Sequence, residues 1–170
     1  MASIESLNEL LVSELRDLYD AEQRLTKAIP KMVEASSSSD LINALDKHLN
    51  ETRQHVTRLE QSFAALGEDA KTETCAGMKG IISEGDDHAG DVEEGSVRDA
   101  AIIGAAQRVE HYEIAAYGTA IAHARLLGHD PVVRALEATL AEEKAADRTL
   151  STIAESVVNP KAEARPHTTA

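Results

Sequence analysis

The stretch VRDAAIIGAAQRVEHYEIAAYGTA, residues 97–120, sets two glutamates on the face of a helix where aliphatic side chains belong. Ile103 and Ala106 begin that face; Glu110, Glu113 and Tyr117 continue it, and Ile121 closes it. An ionised carboxylate inside a helical bundle is costly unless a partner or a cation neutralises it. Glu110 and Glu113 are therefore candidate metal ligands. Tyr117, one turn beyond Glu113, is placed to donate a hydrogen bond or an electron to them; its bland alternative is packing with the hydroxyl reaching a neighbour.

The same anomaly recurs along the chain. A first long helix is predicted from Ser3 to about Glu34, with Leu11, Leu15, Leu18, Leu25, Ile29 and Met32 on its buried stripe. Heptad spacing places Glu22 in the gap of that stripe, and Pro30 is expected to kink or loosen the last turn. The run Ser36–Asp40 reads as a linker and N-cap. A second helix then carries Leu41, Leu45, Leu49, Val56, Leu59 and Phe63 to Leu66, and Gly67 stops it. Its polar contribution is Glu51 and His55, with His48 one turn earlier on the same side; His48 is read as a surface or outer residue rather than a ligand.

From Glu68 to Gly95 the pattern loosens. A short helix over 73–91, interrupted by glycines, is expected to form a crossover. The third long helix runs from Ser96 towards Gly128, and His129-Asp130-Pro131 opens the fourth. That helix bears Val133, Leu136, Leu140, Leu150, Ile153 and Val157, with Glu143 and Asp147 at the intervening core positions. Glu142 is expected to face solvent. The tail 159–170, with Pro160 and Pro166, reads as disordered beyond a single domain over 1–158.

Hairpin, crossover, hairpin is the connection pattern of a ferritin-like four-helix bundle, and an all-α fold is the expectation. Composition agrees: aromatics are only 2 % of the chain, too few for the usual β-sandwich core. A net charge of −13 argues against nucleic acid and anionic membranes as partners. The single Cys75 excludes an intramolecular disulfide and a cysteine-based zinc site. With no signal-like or membrane-length apolar run, a cytoplasmic location is the default expectation.

Glu22, the pair Glu51-x3-His55, the pair Glu110-x2-Glu113 and the pair Glu143-x3-Asp147 thus give each long helix at least one candidate ligand. Arg24, Lys27, Arg53, Arg58, Lys144 and Arg148 fall off the core stripe by the same counting. Two divalent cations would neutralise the cluster compactly. Carboxylate oxygens with one imidazole suit Fe(II) or Mn(II).

The segments LRDLYDAEQRL (15–25), HLNETRQHVTRLEQ (48–61), VRDAAIIGAAQRVEHYEIAAYGTA (97–120) and LAEEKAADRTL (140–150) resemble the YciE/YciF family of bacterial stress proteins, within the ferritin-like superfamily. The resemblance runs to about residue 158, and VEHYEIAAYGT is its most specific part. It implies rubrerythrin-like chemistry, with Glu22, Glu51, Glu110, Glu113 and Glu143 at ligand positions. Two departures stand out. Glu51 and His55 are four apart where ferritin-like enzymes carry Glu-x2-His, and Asp147 stands where many have His. The leading expectation is a di-iron oxidase that consumes oxygen or peroxide, bridged by Glu51 and one of Glu110, Glu113 or Glu143, with His55 terminal. A dimanganese catalase-like enzyme and a non-catalytic stress or interaction protein are the alternatives. A homodimer packed through helix faces is the expected assembly.

Overall fold

The computed structural model describes residues 3–164. Five helices organise it: α1 (Leu7–Ala35), α2 (Ser39–Leu66), α3 (Ala76–Gly90), α4 (Ser96–Leu126) and α5 (Asp130–Ile153). A π-helical turn, Ala154–Val158, leads from α5 into the short α6 (Asn159–Glu163). The helices α1, α2, α5 and α4 pack as neighbours around a ring, so α1 faces α5 and α2 faces α4 across the core. α3 lies outside the ring against α4 and α1 and forms the crossover between two antiparallel hairpins. This is a ferritin-like four-helix bundle. No described helix is long and apolar enough to cross a membrane.

The helix boundaries have local causes. α1 begins at Leu7, later than the expected Ser3, because Ser6 and Glu9 form a reciprocal capping box. The helix runs through Pro30 to Ala35, so the proline does not end it. Gly67 closes α2 at φ 72°, a left-handed conformation open to glycine at little cost. Cys75 is buried and caps α3, its Sγ accepting from the Met78 amide. The glycines of α3 do not interrupt it. A Cβ at Gly77 would lie 2.6 Å from the Tyr112 ring, and one at Gly85 would lie 2.9 Å from the Ala105 Cβ. They are where α3 approaches α4.

The C-terminal end departs from expectation. Val157 is the residue that α-helical spacing places in the core, yet Val158 is buried there beside Leu150 and Ile153. The wide π turn advances the register by one residue and turns Val158 inward. Asn159–Glu163, expected within a disordered tail, are helical. Residues 165–170 of that tail lie outside the described residues.

The core divides into two apolar clusters. Leu11, Leu15, Leu18, Phe63, Ile121 and Leu136 belong to one, and Leu25, Ile29, Leu45, Ile102, Ile103 and Leu150 to the other. Between them lies a polar layer.

Candidate metal centre

Glu22 from α1, His48 and His55 from α2, Glu110 and Glu113 from α4, and Glu143 from α5 all point into that layer and are buried. They form two groups. Ligand atoms of His48, Glu110, Glu113 and Glu143 lie within 4.8 Å of one another, as do those of Glu22, His55 and Glu143. Glu143 belongs to both. His48 Nε2 is 3.3 Å from Glu110 Oε1 and 3.6 Å from Glu143 Oε2. His55 Nδ1 is 2.9 Å from Glu143 Oε1 and 3.3 Å from Glu22 Oε1.

The groups around this layer are already paired. Glu142 accepts from His55 Nε2 at 2.8 Å and from Arg58 at 2.5 and 3.0 Å. Arg58 first, with His55, holds the Glu142 carboxyl below its usual range against a smaller effect of burial. An ionised carboxylate only accepts, so His55 Nε2 carries a proton and Nδ1 faces the cluster. Tyr117, fully buried, donates to Glu22 Oε1 at 2.5 Å. No lysine or arginine reaches the six inner residues among the described contacts.

Inside the layer, satisfaction fails. Of the ten buried side-chain nitrogens and oxygens without a hydrogen bond among the described residues, nine belong to these six side chains. Both Glu113 oxygens, both Glu143 oxygens and both His48 nitrogens are among them. Buried polar groups are ordinarily paired, so such a concentration requires an explanation. Burial, then the charge of Glu143, pushes the Glu110 carboxyl well up; burial, then Glu22, Glu143 and Glu110, does the same to Glu113. Glu22 is also raised by burial, against His55 and Tyr117. Burial opposes charge on His55, but the adjacent Glu143 and Glu22 outweigh it and hold the imidazole up at about 11. Without a cation, protons must therefore stand in for it. Two divalent cations carry four positive charges, equal to the four carboxylates in the layer. The donor set fits such a pair.

The structure brings together Glu22, His55, Glu110, Glu113 and Glu143 of the expected ligands, with Tyr117 bonded to one of them. Glu51 and Asp147 stand apart. On α2 the inward positions are His48, Thr52 and His55, all buried. Glu51 consequently turns to the rim, where Lys47 holds it at 2.5 Å and His48 Nδ1 lies 3.7 Å away. His48 first, then Lys47, lowers its carboxyl to about 2, against burial. The residue three before His55, where ferritin-like enzymes carry Glu, is Thr52, and its hydroxyl is bound to the His48 carbonyl. The residue shared between the two groups is thus Glu143 and not Glu51.

Asp147, four residues after Glu143, has rotated ~40° off the inner face. It accepts from Gln107 Nε2 at 3.3 Å and lies 3.3 Å from His111 Nε2. Two expectations are corrected here, those for His48 and Glu142. His48 belongs inside the layer. Glu142 is bound to His55 and Arg58 rather than free in solvent, and Arg58 is positioned to support the site. The heptad spacing of His48 and His55, which puts both imidazoles on one face, was the available signal for the first.

Residues 6–163 match the family described as Domain of unknown function (DUF892). The chain is 39 % identical over 162 residues to Protein YciF of Escherichia coli K12, covering 95 % of this chain and 98 % of YciF. The crystal structure of YciF, described as a stress protein, superposes with a TM-score of 0.88 at 38 % identity, over 92 % of this chain and 99 % of that one. YcfI of Rhodopseudomonas palustris, described as a candidate structural protein, is 48 % identical with a TM-score of 0.87, over 88 % of this chain and 96 % of its own. Fold and site define a ferritin-like bundle with a buried carboxylate–histidine layer. Within that class the chain belongs to the DUF892 family, the family of YciF-type proteins.

Proposed function

We propose that this protein is a di-metal carboxylate protein, with iron as the leading metal and oxidation of Fe(II) by oxygen or peroxide as its activity. The observation that supports this most is the nine buried nitrogens and oxygens without a well-directed hydrogen bond, gathered on four carboxylates and two imidazoles. His48, Glu110 and Glu113 would hold one ion, Glu22 and His55 the other, and Glu143 both. Iron bound there would supply redox chemistry, one electron per Fe(II), with oxygen or peroxide as the acceptor. The side chains do the rest. Glu142 and Arg58 fix the His55 ring so that Nδ1 faces the buried layer, where it would bind the ion. Tyr117 orients Glu22, and the two apolar clusters exclude bulk water on either side. Without metal, His55 Nδ1 holds a proton between Glu22 and Glu143, and binding would release that proton to solvent.

The test is to load the protein anaerobically with Fe(II), add peroxide or oxygen, and follow near-ultraviolet absorbance of Fe(III). Oxidation faster than in buffer is expected. Failure would remove the oxidase reading and leave two others. Oxygen release from peroxide by the Mn(II)-loaded protein would then favour a catalase-like enzyme. The description of the R. palustris relative favours a non-catalytic role. Equal thermal stability with and without metal would support that reading.

A further inference from the structure

We propose that Glu51 is the transit residue through which divalent cations reach the buried layer, taking the ion at the rim and passing it beyond His48 to Glu110. The inference rests on the di-metal reading above. A cavity of about 30 Å³ opens between α2, α4 and α5, and Glu51, His48 and Glu110 all line it together with Leu45, Ala146 and Leu150. A water-sized particle needs ~10–15 Å³ of such space, so the gap admits only about two or three at a time. Its polar groups form a continuous series. Glu51 is 18 % exposed at the side chain and reaches solvent beside Lys47, which is 69 % exposed. The His48 ring stands next, with Nδ1 3.7 Å from Glu51 and Nε2 3.3 Å from Glu110.

His48 is the independent sign of a ligand. Only 6 % of it is exposed, and neither ring nitrogen has a hydrogen-bond partner. Both nitrogens face carboxylates, one at the rim and one inside. The Lys47–Glu51 pair is an exposed i,i+4 contact and hence a weak latch. An arriving cation can take the place of the Lys47 ammonium on Glu51. The four carboxyls of the interior, several of whose oxygens have no hydrogen bond, then draw it inward.

Mixing the metal-free full-length protein with Co(II) in a stopped-flow spectrometer measures uptake through the visible absorbance of bound cobalt. Equilibrium dialysis with elemental analysis gives the final occupancy. Glu51→Gln is expected to reach the same two ions per chain as the wild type but roughly tenfold more slowly, the low end of the effect of charge on cation arrival. Lys47→Met should load faster than the wild type, because Glu51 then has no competing cation. Wild-type loading rates in Glu51→Gln would overturn the proposal, as would slower loading in Lys47→Met. An ion missing at equilibrium in Glu51→Gln would make Glu51 a resident ligand and overturn it too. A wild type that binds no Co(II) would sink the di-metal reading itself, and the transit role with it.

Discussion

Glu142 accepts a 2.8 Å hydrogen bond from Nε2 of His55, and that contact fixes which imidazole nitrogen faces the buried layer. Removing it should loosen one ion and spare the other. Partners of ligating histidines typically contribute 10–100-fold in metal affinity. Glu142→Ala is therefore expected to weaken, by roughly 10–100-fold, the ion held by Glu22, His55 and Glu143. Calorimetric titration with Mn(II) should resolve one unchanged and one weakened site. Two unchanged sites would mean that the orientation of His55 does not matter.

The metal-free protein should lose stability as pH rises from about 5 to about 8. Glu110, Glu113 and Glu22 are raised in the fold, by burial first. Their contribution is present below the ordinary value of 4.5 and is lost as pH climbs through the raised one. His55 acts with the same sign: its stabilisation is full below 6.5 and declines towards about 11. Glu51 and Glu142 have lowered values and the opposite sign, but their effect falls below 4.5, outside this window. Thermal melts of metal-free protein should thus show a midpoint that decreases across the range. With metal bound the trend should reverse, because protons compete for the ligands. A metal-free midpoint that rises with pH would contradict the assignment.

Replacing both Glu110 and Glu113 by Gln keeps side-chain shape and removes two buried carboxyls that burial and their neighbours make costly to ionise. The metal-free double variant is expected to be more stable than the metal-free wild type by about 2 kcal/mol, or roughly 4–8 °C in melting midpoint. It should lose the ion that His48 helps to hold. A destabilised variant would show that these carboxyls serve the fold.

How much of this was legible beforehand differs by feature. The bundle was legible because Leu, Ile and Val recur along α1, α2 and α5 on one stripe each, and a polar residue in such a stripe is conspicuous. Glu22, Glu110, Glu113 and Glu143 stood out for that reason. Glu51 and Asp147 were harder, since neighbours one residue apart differ by ~100° around the axis and only the packed partner decides which turns inward. On α2 the inward choice is His48, Thr52 and His55. The support from Glu142 and Arg58 depends on the contact between α2 and α5, 84 residues apart in sequence. The π turn that brings Val158 inward has no signal in a 3.6-residue period.

Anomalous scattering from crystals grown with Fe(II) or Mn(II) tests the central claim most directly. Two peaks per chain are expected, one among His48, Glu110, Glu113 and Glu143 and the other among Glu22, His55 and Glu143, with the Glu143 carboxylate between them. No peak in the layer, or a single peak that leaves Glu143 uncoordinated, would contradict it.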